Sequence, residues 1–129
     1  MDTPRHPISI DVATQYLDDQ SDPRENRYVF SYTITIRNEG PVAAKLLTRH
    51  WIITDANNHV EEVKGPGVVG ERPVLAPGQA FTYTSGCPLR TPQGLMVGSY
   101  QMLDDQGRLF DITIPAFSLD SPFARPTLN

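Results

Sequence analysis

The chain has 129 residues, of which 39% are hydrophobic and 20% are charged, and it contains 12 prolines. This length suits one domain and is short for two, and the composition is typical of a loop-rich globular protein rather than a disordered or membrane chain. The formal net charge of -4, from 15 acidic and 11 basic residues, provides no broad positive field for phosphate backbones, so a nucleic-acid partner is disfavoured.

The N-terminal segment argues against export. Residues 1–7 lack the apolar run that follows the basic start of a secretory signal, and no later apolar stretch approaches the length that a bilayer crossing needs. We therefore expect a cytoplasmic protein with no membrane insertion. We also expect one domain over residues 1–129, with its core at about residues 7–117 and a C-terminal tail at residues 118–129.

Two segments of alternating residues open the chain. Residues 8–17 predict a first strand, and the polar residues 18–26 predict a solvated loop after it. Residues 27–37 alternate almost perfectly, and a period of two predicts a second strand with one face in the core and one in water. The residues that this pattern assigns to the core face are Tyr28, Phe30, Tyr32, Ile34 and Ile36.

The middle of the chain predicts a central strand followed by an edge strand. Residues 46–54 are apolar around Trp51, and their adjacent apolar pairs favour a bulge or a strand covered on both faces. Residues 60–63 predict a short strand whose charges are typical of a sheet edge. Residues 65–78 hold too many glycines and prolines for a regular element, so they predict a long connection between sheets.

The last third of the chain predicts three further strands. Residues 81–85 alternate as a strand and residues 89–94 predict a loop. Residues 95–103 and 110–114 predict a hairpin, which residues 104–107 close. A total of about seven antiparallel strands indicates an all-β fold, an immunoglobulin-like or fibronectin type III-like β-sandwich, rather than a closed barrel.

Aromatic residues are the predicted centre of this core. We expect Trp51 to anchor it, facing Phe30, Tyr32 and Tyr100, because large aromatic side chains dominate the energetics of burial. Cys87 is the single cysteine, so no disulfide forms within the chain. A buried, inert thiol is the expected role of that residue.

One glycine-rich segment is a candidate anion site. Gly65, Gly67 and Gly70 match the spacing GxGxxG, which in dinucleotide-binding folds lets the backbone approach a pyrophosphate at the start of a helix. No helical pattern follows here, which favours a purely structural glycine loop. Lys64 and Arg72 flank the segment, so a modest site for an anion or nucleotide stays open as an alternative.

Other chemistry is not indicated by residue spacing. The three histidines have no nearby partner of ligand type, and the paired carboxylates are interpreted as solvated turn acids, so no metal and no cofactor are expected. No serine lies in a nucleophile elbow, so we do not expect an enzyme. The histidines are His6, His50 and His59, and the carboxylate pairs lie at residues 18–19, 61–62 and 104–105.

Several sequence segments, which together span nearly the entire chain, resemble the ApaG family. They occur in the family's order and lie at residues 27–38, 49–55, 63–70, 75–78, 83–86 and 98–102. The resemblance implies a fibronectin type III-like sandwich and, from bacterial members, a genetic link to cobalt resistance and magnesium efflux. Similar domains in eukaryotes are appended to an F-box protein and a polymerase-interacting protein, which implies protein binding. The family offers no established catalytic residues.

Two functional hypotheses follow. The first is a non-enzymatic protein–protein interaction module that affects divalent-cation homeostasis through an unidentified protein partner. The alternative is a small-molecule sensor that binds a nucleotide or dinucleoside polyphosphate at the loop of residues 65–72. Direct binding of cobalt or magnesium has little support in ligand spacing. A homodimer through exposed sheet edges is left open by the sequence.

Overall fold

Eight strands and two short 3₁₀ turns make up the computed structural model, which describes residues 7–124. The turns cover Asp18–Gln20 and Pro23–Glu25. The strands are β1 (Ile8–Tyr16), β2 (Tyr28–Asn38), β3 (Ala44–Asp55), β4 (Val60–Pro66), β5 (Val74–Leu75), β6 (Ala80–Leu89), β7 (Gln93–Asp104) and β8 (Leu109–Asp120).

The strands form two antiparallel sheets that pack face to face. One sheet has the order β1-β2-β6, and the other has the order β4-β3-β7-β8 with β5 pairing beside β3. This arrangement confirms the predicted immunoglobulin-like or fibronectin type III-like sandwich. Because β5 is only two residues long, the structure has one strand more than the sequence pattern indicates.

The alternation in β2 fills the core as predicted. All five residues that the pattern assigns to the inner face are buried. The segment before β2 is largely exposed, as predicted for a solvated loop, but it folds into the two 3₁₀ turns. The Ser21 hydroxyl donates to the Leu17 carbonyl and accepts from the Val29 amide. These two hydrogen bonds fix the two 3₁₀ turns against the start of the strand.

Trp51 lies at the centre of the core, on the inner face of β3. The predicted bulge in this strand is confirmed by a register shift between Leu46 and Thr48. The Trp51 ring makes edge contacts with Tyr32 at 5.4 Å and with Phe117 at 5.8 Å between ring centroids. Tyr32, Phe30 and Tyr100 are all buried, as expected of core anchors. The ring of Phe30 lies against Tyr16, however, and Tyr100 bonds through its hydroxyl to Tyr83.

Two predicted loops are shorter than the sequence suggests. Gly65 and Pro66 extend β4, whose charged edge position is confirmed, and Val74–Leu75 pair with β3 as β5. The long connection therefore spans residues 67–73 instead of 65–78. The predicted loop at residues 89–94 shortens to 90–92, because β7 already begins at Gln93.

The C-terminal strand is longer than predicted. β8 continues to Asp120 and Leu119 is fully buried, so residues 118–120 belong to the sheet and not to a tail. The Phe123 ring lies 6.3 Å from the Tyr16 ring, so this residue docks on the domain.

One of the paired carboxylates is not a solvated turn acid. Asp104 is buried, and its Oδ1 accepts the backbone N–H groups of Gln106 and Arg108. The side chain therefore holds the β7–β8 turn together. Within residues 7–124 no helix has the length and apolar character needed to cross a bilayer.

Candidate functional site

The glycine-rich segment folds into a tight two-residue hairpin turn. Val68 and Glu71 exchange both backbone hydrogen bonds, each at 2.8 Å, and enclose Val69 and Gly70 with φ angles of 43° and 81°. Positive φ at both central positions defines a type I′ turn, which favours Asn-Gly. A β-branched residue is strained in this conformation. Val69 is also 53% exposed, so burial does not compensate for its strain.

Arg49, a half-buried residue on the inner face of β3, holds this turn. Its Nη1 donates to the carbonyls of Pro66 at 2.9 Å and Gly67 at 3.0 Å. A Cβ atom added at Gly65 would lie 2.9 Å from the guanidinium, and one at Gly67 would clash with the Glu71 carbonyl oxygen. The first two glycines of the motif therefore make room for an arginine clamp and a turn. The third, Gly70, supplies the second positive φ of that turn.

The geometry leaves the loop poorly equipped to hold an anion. The amides of Gly67, Val68 and Glu71 donate to backbone carbonyls of the chain itself. Lys64 pairs in register with His50 and extends to solvent, where its Nζ lies 3.8 Å from Glu62. The structure thus brings Gly65, Gly67 and Gly70 together with Arg49, a residue that the sequence reasoning missed. Its position is a detectable signal, because a lone cation stands two residues before Trp51 on the same inner face of β3.

Buried hydroxyls and a thiol line the interior near Arg49. The hydroxyls of Tyr83 and Tyr100 share a hydrogen bond, and burial raises the pKa of both groups. Burial, reinforced by Glu61, raises the pKa of the Cys87 thiol to about 11. A thiol that stays protonated at neutral pH is a poor nucleophile, which agrees with the predicted inert role.

The outer face of the five-stranded sheet carries a group of neighbouring apolar side chains, two of them exposed and two half-buried. Ile52 pairs with Val97, and Thr54 pairs with both Val60 and Leu95. Since Trp51 and Met96 point into the core, these neighbours point outward. Val60 is 56% exposed and Leu95 is 45% exposed. We call Ile52, Val60, Leu95 and Val97 the apolar patch.

An acidic depression borders the apolar patch. Its volume is about 540 Å³, and its lining includes Leu95, Asp55 and Asp120 but no basic side chain. The Ser118 hydroxyl donates to Asp120, and one oxygen of Asp55 accepts the amides of Asn57 and His59. The depression therefore presents negative charge directly beside exposed apolar surface.

A larger groove lies on the open side of the sandwich between β4 and β6. It has a volume of about 830 Å³ and an apolar floor that includes Ile53 and Leu89. Its rim carries charges of both signs, including Arg27, Arg90 and Glu61. This mixture favours no single ligand charge.

No group of metal-binding side chains occurs in the described part of the chain. His50 is paired with Glu62 through a 2.5 Å contact on the outer face, and His59 lies in the β3–β4 turn. The third histidine, His6, lies outside the described residues.

Comparisons with a family profile, with related sequences and with solved structures agree on the relatives of this chain. The ApaG domain family profile matches residues 18–104. Proteins named ApaG from Paramagnetospirillum magneticum and Brucella anthropi are 59% and 58% identical over 122 residues, which cover 95% of this chain and 94% of each relative. The crystal structure of a Bordetella pertussis protein assigned as ApaA is 46% identical, covers 92% of this chain and 97% of that one, and superposes with a TM-score of 0.89. The chain belongs to the ApaG domain family.

Proposed function

We propose that this chain is a non-enzymatic protein–protein interaction module of the cytoplasm, and that its protein partner acts in divalent-cation homeostasis. The observation that carries this proposal is the apolar patch on the outer face of the five-stranded sheet. Neighbouring apolar side chains on a sheet face that no other element of residues 7–124 pairs with are typical of surfaces that bind another protein. The residues involved are Val60, Leu95, Ile52 and Val97.

Charge defines the partner's chemistry further. Asp55 and Asp120 line the depression next to Leu95 without a basic neighbour in that lining. A matching surface presents apolar side chains with an Arg or Lys beside them, because opposite charges favour the correct orientation of two surfaces. The partner is therefore a protein with an apolar surface flanked by a basic residue.

The test begins with a photo-crosslinking residue at position 95, which captures the partner in living bacteria. The captured protein is then purified, and its affinity for the whole chain is measured. We expect Leu95→Glu to weaken binding at least about tenfold, because it places a charge in the contact. The matched control is Leu109→Glu, since Leu109 is 60% exposed but lies at the opposite end of the same sheet face. Equal loss of affinity in both variants would contradict the proposal.

The link to cations has a separate test in cells. A bacterial strain that lacks its own ApaG gene is complemented with the wild-type chain, Leu95→Glu or Leu109→Glu, and growth is scored against cobalt concentration. We expect the wild type and Leu109→Glu to restore tolerance and Leu95→Glu to fail. If all three restore it equally, the apolar patch is not the route to cation homeostasis.

The alternative function, a sensor for a nucleotide or dinucleoside polyphosphate at residues 65–72, has weaker support. Three amides of that loop already donate inside the chain, and Pro66 and Gly67 direct their carbonyls to Arg49. We expect no saturable shift in melting temperature when diadenosine tetraphosphate is titrated into the chain. A saturable shift in the wild type that Arg72→Ala removes would favour the sensor instead.

A further inference from the structure

The backbone of β6 presents unpaired hydrogen-bonding groups at an open sheet edge. On the neighbouring strand, the Val29 amide donates to Ser21 and its carbonyl accepts from Leu17, so both groups face away from β6. Pro88 pairs with Val29 in register, and a proline in an edge strand directs its nitrogen away from its neighbour. The N–H and C=O groups of successive residues in a strand point to opposite sides, so residues two apart share a side. Thr82, Thr84 and Gly86 therefore direct these groups to the open edge, as Pro88 does with its nitrogen.

The side chains of β6 support the same assignment. The hydroxyls of Thr33 and Thr84 lie 2.8 Å apart, and those of Thr35 and Thr82 lie 2.9 Å apart. Such close approach is typical of antiparallel pairs that do not exchange backbone hydrogen bonds. The edge groups of Thr82 and Thr84 are therefore not engaged by β2, and no hydrogen bond from elsewhere in residues 7–124 reaches them.

The other sheet edges carry charges or lie beside another strand, whereas the middle of β6 does neither. β4 carries Glu61, Glu62 and Lys64, and charged side chains discourage edge pairing. The one proline of β6, Pro88, lies near the end of the strand, beyond the edge groups of Thr82, Thr84 and Gly86. The outer strands β1 and β8 lie next to each other across the two sheets. β6 has 10 residues, none of them charged, and it pairs with β2 without a register shift. A long, regular, uncharged edge accepts another extended strand.

We propose that two copies of this chain associate through β6, antiparallel about a two-fold axis at Thr84. In this register Thr84 exchanges both backbone hydrogen bonds with Thr84 of the second copy, and Thr82 exchanges both with Gly86. On the inner face the large residues Phe81 and Tyr83 then stand opposite the small residues Cys87 and Ser85. Shifting the axis to residue 82 or 83 sets aromatic residues against each other, so the axis at Thr84 matches the shape of the strand best.

Charge also allows identical copies to meet at this edge. Each chain has a net charge of -4, yet residues 79–89 contain no charged side chain, so pairing two β6 strands brings no like charges face to face. Pairing along one strand edge gives an interface at or below the lower end of the range for stable complexes, about 1,200 Å². The dimer is therefore weak and forms in a concentration-dependent equilibrium. This inference is independent of the apolar patch, which lies on the other sheet.

The test uses two lysine substitutions that remove the same threonine–threonine hydrogen bond. Thr84→Lys places like charges directly opposite each other at the axis, which destabilises a pair of strands. Thr33→Lys removes the same bond from the central strand, but its charges lie three strand spacings apart in the dimer, about 14 Å, which exceeds the Debye length in physiological salt. Circular dichroism melting checks that both variants are folded.

Sedimentation equilibrium of the whole chain then measures the dimer. We expect a wild-type Kd between about 10 µM and 1 mM, an increase of at least about tenfold in Thr84→Lys, and less than about a threefold change in Thr33→Lys. Mixing Thr84→Lys with Thr84→Glu restores association to at least the wild-type level, because opposite charges then meet at the axis. A wild-type chain that stays monomeric at about 1 mM, or equal effects of the two lysine variants, would overturn the proposal.

Discussion

Replacing Val69 by asparagine is expected to stabilise the protein, although it removes an apolar side chain. Val69 has a φ of 43°, and the other non-glycine residues with positive φ among residues 7–124 are both asparagines, Asn26 and Asn58. A residue in such a conformation costs about 1–3 kcal/mol when its side chain is β-branched. Asparagine adopts the left-handed region readily and forms the preferred Asn-Gly pair of a type I′ turn with Gly70.

The magnitude follows from exposure as well as strain. Because Val69 is 53% exposed, the substitution sacrifices little buried apolar area, and relief of strain dominates. We expect the free energy of unfolding to rise by about 1 kcal/mol, which corresponds to about 4 °C in Tm for a domain of this size. Urea denaturation monitored by circular dichroism, with calorimetry for Tm, measures both quantities.

The control substitution Val74→Asn separates relief of backbone strain from the effect of exchanging valine for asparagine. Val74 is 59% exposed and lies in β5 with extended backbone, so Val74→Asn loses strand propensity and relieves no strain. We expect it to lower the free energy of unfolding by up to about 1 kcal/mol. The reasoning is refuted if Val69→Asn destabilises the protein as much as Val74→Asn does.

Three further predictions concern the core and the arginine clamp. Trp51→Ala should lower the free energy of unfolding by about 3–5 kcal/mol, measured by urea denaturation, and near wild-type stability would contradict its anchoring role. Gly65→Ala should destabilise by about 1–3 kcal/mol, because the new methyl group meets the Arg49 guanidinium, and Arg49→Ala in the same chain should remove most of that added cost in a double-mutant cycle. The folded chain holds the Cys87 pKa at about 11, above its unfolded value, so this thiol's contribution to stability is complete below about pH 9 and is lost as pH rises to about 11. Subtracting the pH profile of Cys87→Ala isolates that loss, and parallel profiles for the two proteins would contradict it.

The sandwich was predictable because its strands alternate. In β2 the inner positions from Tyr28 to Ile36 are all large and apolar, and a period of two has no other common explanation. The C-terminal half of β8 was not predicted from alternation. The strand passes Pro115 because a register shift against β7, between Met96 and Gly98, leaves that position without a regular ladder bond, and its last buried residue is Leu119. A bulge of this kind depends on the neighbouring strand, which a local pattern does not include.

The glycine loop shows why the candidate site was less predictable from the sequence than the fold. The spacing of Gly65, Gly67 and Gly70 indicated either a structural loop or an anion site, and the choice depends on Arg49, which is distant in sequence. The apolar patch was also out of reach, because Val60, Leu95 and Ile52 meet only through the register of three strands. Sequence periodicity identifies which residues face outward, and strand order decides which of them become neighbours.

The change in heat capacity when the partner binds tests the interaction proposal most directly. Isothermal titration calorimetry of the whole chain with the purified partner that crosslinking identifies, repeated at several temperatures, yields this quantity. Burial of the apolar patch predicts a clearly negative heat-capacity change that Leu95→Glu reduces and Leu109→Glu does not. A binding enthalpy that stays constant with temperature, in the wild type and in both variants, would contradict the account.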